Sequence, residues 1–163
     1  MDEGFIAMAG VPIPPEAERP KFKDPILGVL EWYEKWEFWE GTPEFRDGRQ
    51  IILRIAGSCD LPAQESQLAF LRTLFQQLQA DDARFRAKAS QYLLDTYNTG
   101  WRFDDDEEID AATFESRLTL QGISASIGSP GANLGYDADD MFTEHQVVVS
   151  VDSSGNPMYA IME

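Results

Sequence analysis

Residues 137–145 carry the side chains of this chain that are best suited to chemistry. They comprise four carboxylates and the only histidine: Asp137, Asp139, Asp140, Glu144 and His145. Carboxylates beside an imidazole can ligate a divalent metal ion or exchange protons with a substrate. Asp137, Asp139, Asp140 and His145 are therefore the candidate metal ligands.

The same segment has a simpler interpretation, which we prefer. Most metal sites draw ligands from several segments, and this chain has no second histidine to contribute, although further carboxylates could do so. The carboxylates then line a solvated turn, and His145 caps a strand edge or bonds a neighbouring group. We accordingly predict no cofactor and no metal ion.

No other part of the sequence has the spacing of a catalytic motif. It contains no glycine-rich phosphate loop, no nucleophile elbow and no Cys/His zinc pattern. The acids from Asp104 onwards have the alternate spacing of a calcium loop, but Ile109 stands where that loop requires glycine. We assign no catalytic residue, and we expect a non-enzymatic function more than an enzymatic one.

The net charge of −16 is the strongest compositional signal. It is concentrated in residues 101–163, which carry 13 acidic side chains against two basic ones, Arg102 and Arg117. Such a field repels the phosphates of nucleic acids, whereas it attracts a basic protein and raises its association rate. The residues predicted to bind such a partner lie on two segments: Asp104, Asp105, Asp106, Asp137, Asp139, Asp140 and Glu144.

Length and composition predict one globular domain in the cytoplasm. The chain has 163 residues, of which 43% are hydrophobic, and no apolar run long enough for a transmembrane helix. The acidic N-terminus lacks the basic region of a secretory signal, and Cys59 is the only cysteine, so no disulfide can form within the chain. The sequence predicts neither a membrane partner nor an oligomeric state.

Strands are predicted to follow a proline-rich arm. The arm covers residues 1–25, and residues 26–163 form the single domain. Aromatic and β-branched residues predict strands at residues 26–33, 35–40 and 49–57. The aromatic cluster of this block is more typical of a core, although a ligand pocket behind its tryptophans is an alternative.

Helices occupy the middle of the predicted domain. The first follows Asp60 and has leucines at helical spacing, and the second is capped by Asp81 or Asp82 and ends near Gly100. The apolar stripe of the second helix is Phe85, Ala89, Tyr92, Leu93 and Tyr97, and its basic group, Arg84, Arg86 and Lys88, is interpreted as a solvated face. A short third helix is capped by Asp110.

The C-terminal third alternates apolar and small polar residues, which is typical of strands. The alternation changes phase near Gly122, which predicts a bulge. His145, Val147, Val149 and Val151 are expected on one face of a later strand. The fold class is α+β: an antiparallel sheet from N-terminal and C-terminal strand blocks, with two main helices and a short third helix between them. Whether the two blocks form one sheet is left open.

The C-terminal half resembles an uncharacterised bacterial family, the domain of unknown function 2262 and its relatives. The resemblance rests on the segments F-E-S-R-L-T-L from Phe114, Y-D-A-D-D-M-F-T-E-H from Tyr136 and V-V-V from Val147. The block from Leu27 to Gly41 is similar to the family's opening hairpin, whereas Thr143 and Glu144 depart from its pattern. The resemblance implies a compact α+β domain and no agreed activity.

These observations give three functional hypotheses. The leading one is a non-enzymatic acidic binding protein, for example an immunity-type inhibitor of a basic toxin or effector. The alternatives are a metal-dependent enzyme centred on residues 137–145 and a regulatory module with a small-molecule pocket behind the tryptophans.

Overall fold

A computed structural model describes residues 19–163 of the protein. The strands form a single eight-stranded sheet in which each strand lies beside its neighbours in sequence. The strands are β1 (Lys21–Asp24), β2 (Gly28–Tyr33), β3 (Phe38–Gly41), β4 (Ile52–Ala56), β5 (Thr119–Ser126), β6 (Ala132–Asp137), β7 (Val147–Val151) and β8 (Pro157–Met162). The two predicted strand blocks are therefore one sheet.

Three helices lie between β4 and β5 in the chain. They are α1 (Glu65–Ala80), α2 (Ala83–Thr96) and α3 (Ala111–Ser116). This arrangement confirms the predicted α+β class, with two main helices and a short third helix between two strand blocks. The pairing of β4 with β5 is parallel rather than antiparallel, because a connection through helices returns the chain to the same end of the sheet.

The core lies between the helices and one face of the sheet. On β4, Leu53 and Ile55 are buried, whereas Ile52 and Arg54 alternate with them and are exposed. The leucines predicted for the first helix, Leu68, Leu71, Leu74 and Leu78, are all buried. Of the predicted α2 stripe, Phe85, Ala89, Leu93 and Tyr97 are buried, but Tyr92 is 48% exposed, so its assignment to the stripe was wrong.

Trp32 and Trp39 pack against each other in this core, with their ring centroids 5.6 Å apart. Trp36 lies instead in the turn between β2 and β3, outside the strand predicted at residues 35–40. The two inner tryptophans are 5% and 3% exposed, which agrees with the core interpretation for these two members of the aromatic cluster, whereas Trp36 is only partly buried.

Strand β1 lies within the segment that the sequence assigns to the arm. It pairs with β2, and the buried carboxylate of Asp24 accepts hydrogen bonds from Arg72 on α1 and from the backbone of Ile26 and Leu27. The rest of the predicted arm, residues 1–18, lies outside the described residues. None of the helices in the described part of the chain is long and apolar enough to cross a membrane.

Two local predictions about the helices are confirmed. Asp110 does cap α3, because its Oδ1 accepts a hydrogen bond from the backbone N–H of Thr113 at 2.8 Å. The helical structure ends within one residue of the stop predicted near Gly100, because α2 continues into a π-helical turn, Tyr97–Trp101. That turn places Trp101 against the loop that follows β6.

Candidate functional site

The loop between β6 and β7, residues 138–146, forms the candidate site. Its backbone makes three successive turns, in which the N–H groups of Met141, Thr143 and His145 each donate to the carbonyl three positions earlier. These turns compress the segment and direct its acidic side chains to the surface. The apolar residues of the same segment are buried.

Phe142 anchors this loop to the core. It is fully buried, and the rings of Tyr97, Trp101 and Phe114 pack around it at centroid distances of 5.9, 5.6 and 6.1 Å. Ala138 and Met141 are buried beside it. The loop is thus fixed by packing as well as by its turns, so its exposed carboxylates are held in defined positions.

The anchored loop has unfavourable backbone conformations. Asp139, Asp140 and Thr143 have positive φ angles of 50°, 60° and 57°. The left-handed region costs a non-glycine residue roughly 1–3 kcal/mol, and a β-branched residue such as Thr143 is the least suited to it. Such strain persists only where the surrounding structure imposes it, and it clusters at functional sites.

An acidic cleft of about 610 Å³ opens beside the loop. We use the name acidic cleft for the surface lined by Phe103, Gln121, Asp137, Asp140, Thr143, Glu144, His145 and Gln146. The side chains of Asp137, Asp140 and Glu144 make no ion pair or hydrogen bond with any residue of the range 19–163. Phe103 stands at the cleft with 77% of its surface exposed.

The seven predicted partner-binding residues separate into three groups. Asp137, Asp140 and Glu144 line the acidic cleft. Asp104, Asp105 and Asp106 are exposed in the turn that follows Phe103, and so adjoin the cleft without lining it.

Asp139 differs from the other predicted residues, because Arg117 binds it. The Nε of Arg117 lies 3.1 Å from Oδ2 of Asp139, and its Nη2 donates to the Asp139 carbonyl at 2.9 Å. Burial by itself would lower the pKa of the Arg117 guanidinium, but its interactions with Asp139 and Tyr97 outweigh burial and raise that pKa. The pair fixes the start of the loop to the end of α3.

His145 precedes β7 rather than belonging to it, so its predicted place on the strand was wrong. It is exposed, its Nδ1 lies 3.0 Å from the carbonyl oxygen of Phe142, and its ring meets the ring of Trp101 edge-on at 5.4 Å. The loop turns after Phe142, so the period-two pattern His145–Val147 does not extend the strand. Among residues 19–163, no three His, Cys, Asp or Glu side chains are grouped so that they could hold a metal ion.

Sequence reasoning missed Phe103 as a site residue. The available signal was an aromatic residue directly before the run of acids that starts at Asp104. Nothing local in the sequence indicates that residues 103–106 lie beside residues 137–146.

Sequence reasoning also missed a cluster of arginines around Asp82. The carboxylate of Asp82 is 4% exposed, and its Oδ1 accepts from Nη2 of Arg46 at 2.8 Å and from Nε of Arg86 at 3.1 Å. The buried hydroxyl of Tyr136 lies 3.4 Å from its other oxygen. Arg86 is therefore an inward-facing ion-pair partner, and its interpretation as part of a solvated helix face was wrong.

Comparison with known proteins gives one match. The model of a family described as "Uncharacterized protein conserved in bacteria (DUF2262)" matches residues 24–162. No curated protein and no solved structure matches the chain.

Proposed function

The chain belongs to this family of uncharacterised bacterial proteins, and we propose that it acts without catalysis, by binding a basic protein at the acidic cleft. The specific form of the proposal is an immunity-type inhibitor that occupies a basic toxin or effector in the cytoplasm. One observation carries it: three carboxylates, Asp137 at the end of β6 and Asp140 and Glu144 on the fixed, strained loop, have no cationic partner among residues 19–163 and lie next to an exposed aromatic ring.

Unpaired carboxylates on one cleft repel one another, so they weaken the isolated fold slightly. A basic side chain from a partner removes that repulsion on binding. Phe103 adds to the attraction, because an ammonium or guanidinium group over an aromatic face gains roughly 0.5–2 kcal/mol. The uneven charge of the chain would also steer a basic protein towards this end of the molecule.

The test uses the protein as bait for partners from its own bacterium. We expect a stoichiometric basic protein to co-purify with the unmodified chain, with an affinity that falls as salt is raised. The variant Asp137→Asn/Asp140→Asn/Glu144→Gln should bind that protein roughly 30-fold more weakly, at about 0.7 kcal/mol for each charge removed. Isothermal titration calorimetry with the purified partner measures the difference.

A matched control removes the same charge elsewhere. Asp60, Asp95 and Glu44 are exposed and make no side-chain ion pair with a described residue. Asp60→Asn/Asp95→Asn/Glu44→Gln should retain almost all of the affinity. Equal losses in the two triple variants would mean that only net charge matters, and the recovery of no stoichiometric partner would refute the proposal.

A further inference from the structure

A second cleft, of about 200 Å³, lies at the same end of the sheet and has the opposite charge. We use the name arginine cleft for the surface lined by Phe45, Arg46, Asp47, Arg49, Asp82, Arg86, Leu118, Thr119 and Leu120. Thr119 of this cleft is paired in the sheet with Asp137 of the acidic cleft. Strand β5 carries residues of both clefts, because Thr119 lines the arginine cleft and Gln121 lines the acidic cleft.

Three guanidinium groups meet two carboxylates in the arginine cleft. The single negative charge of Asp82 neutralises only one of its two partners, Arg46 and Arg86. The carboxylate of Asp47 neutralises Arg49, whose Nε lies 2.7 Å away. One positive charge therefore remains in excess, in a chain whose net charge is −16. An anion seated in the cleft would balance it.

The guanidinium groups are already held in place. Arg49 donates from Nε to Asp47 and from Nη1 to the carbonyl of Leu120 at 2.8 Å, while its Nη2 donates to no residue of the described chain. Arg46 is fixed by the carbonyl of Leu78 at 2.8 Å, and Arg86 is held at Asp82. Donors fixed beforehand lose little side-chain entropy when a ligand binds.

The size of the cleft limits the ligand. Pockets for drug-sized molecules are about 300–1,000 Å³, so a cleft of about 200 Å³ suits one small group. Guanidinium forks match the oxygens of phosphate by paired, charge-assisted hydrogen bonds. We propose that the arginine cleft binds a phosphate-class oxyanion, either free or as the terminal group of a larger molecule, between Arg49 and the Arg46–Arg86 pair.

This proposal stands independently of the function proposed for the acidic cleft. Its test is the thermal unfolding of the full chain at neutral pH in sodium phosphate and in sodium chloride of equal ionic strength. A ligand that binds only the folded protein must raise its melting temperature. We expect phosphate to do so for the unmodified chain, and Arg49→Gln to weaken the apparent phosphate affinity by about tenfold or more.

Arg54→Gln is the control variant. Arg54 is also a partly exposed arginine bound to a carboxylate, Glu40, but it lies on the outer face of the sheet, so its removal should leave the phosphate effect intact. If Arg49→Gln does not fold, Arg49→Lys takes its place. This variant keeps the positive charge but loses the planar guanidinium group, so it should bind phosphate more weakly than the unmodified chain.

O-Phosphoserine and inorganic phosphate, titrated separately, distinguish the two sources of the group. Tighter binding of the ester indicates a phosphate carried by a larger molecule, and equal or weaker binding indicates the free ion. Stabilisation by neither compound beyond the chloride control, or an undiminished effect in the Arg49 variants, would overturn the proposal and leave the three arginines with a purely structural role.

Discussion

The acidic cleft and the arginine cleft use aspartate in opposite ways. In the arginine cleft, Asp82 is almost fully buried and two guanidinium groups neutralise it. In the acidic cleft, Asp137 and Asp140 have no cationic partner among the described residues. A buried charge must be paired for the fold to survive, whereas an unpaired exposed charge contributes little to the fold. The paired acid therefore serves the structure first, and the unpaired acids are available to a partner.

The backbone conformations of the two clefts also differ. The acidic cleft is built on a loop with three left-handed non-glycine residues. The arginine cleft is built on the start of α2, the start of β5 and the connection before β4, where the described non-glycine residues all have negative φ angles. Strain is thus present beside the unpaired acids and absent beside the paired one. Variants of the two clefts should therefore change the stability of the protein by different amounts and, for one pair of threonines, in opposite directions.

The largest expected effect is that of removing the buried carboxylate. Asp82→Ala leaves Arg46 and Arg86 without their anion, and breaking such a pair costs about 3 kcal/mol of unfolding free energy, the low end of the range because both guanidinium groups are partly exposed. Chemical denaturation at neutral pH measures the loss.

Asp47→Ala is the control for this effect within the same cleft. Asp47 is half exposed, so its loss should destabilise the protein far less than the loss of Asp82. Similar losses in the two variants would show that burial does not distinguish the two acids.

The second effect is a dependence of stability on alkaline pH that comes from Tyr136, whose buried hydroxyl lies beside Asp82 of the arginine cleft. Burial, and then the neighbouring charge of Asp82, raises the pKa of the Tyr136 hydroxyl well above its usual range. An unfolded tyrosine ionises near pH 10 while the folded Tyr136 keeps its proton, so its contribution to stability is complete below pH 10 and is lost above it.

Tyr136→Phe should therefore flatten the alkaline side of the stability profile. At pH 11 the unmodified chain should have lost about 1.4 kcal/mol more, relative to pH 7, than Tyr136→Phe. Tyr159→Phe, which alters an exposed tyrosine of β8, should follow the unmodified chain. Parallel profiles for the unmodified chain and Tyr136→Phe would contradict the assigned role of burial.

The features that the sequence predicts correctly depend on neighbours along the chain. The alternation through residues 118–127 predicts a strand with a bulge near Gly122, and the register does shift between Leu120 and Gly122. Asp110 caps a helix by accepting a hydrogen bond from the backbone N–H three residues later, as its local pattern indicates. The leucine spacing of α1 is equally local, and it places all its leucines in the core.

The features that the sequence does not predict depend on residues far apart in the chain. Arg46 reaches Asp82 across 36 positions, and Phe103 meets a loop that begins more than 30 positions later. Charge type and spacing carry no information about such contacts. Arg86 was assigned to solvent because nothing local shows that Asp82, four positions before it, is buried against Arg46 and Tyr136. The sequence therefore predicts the carboxylates of the acidic cleft. It predicts neither the presence of Phe103 there nor the ion pair in which Arg117 neutralises Asp139.

The smallest effect compares one threonine from each cleft, and here the sign should change. Thr143 of the acidic cleft has a φ of 57°, whereas Thr119 of the arginine cleft lies in β5. Thr143→Gly relieves the strain of the left-handed backbone and loses only a 3.5 Å contact with His145. Although the unfolded chain gains conformational freedom from glycine, the variant should be more stable than the unmodified protein by about 1 kcal/mol. Thr119→Gly should destabilise it by about 1 kcal/mol, because glycine weakens a strand. Denaturation midpoints measure both, and a loss of stability in Thr143→Gly would show that the loop is not strained, which would remove the backbone's share of the argument for a binding site there.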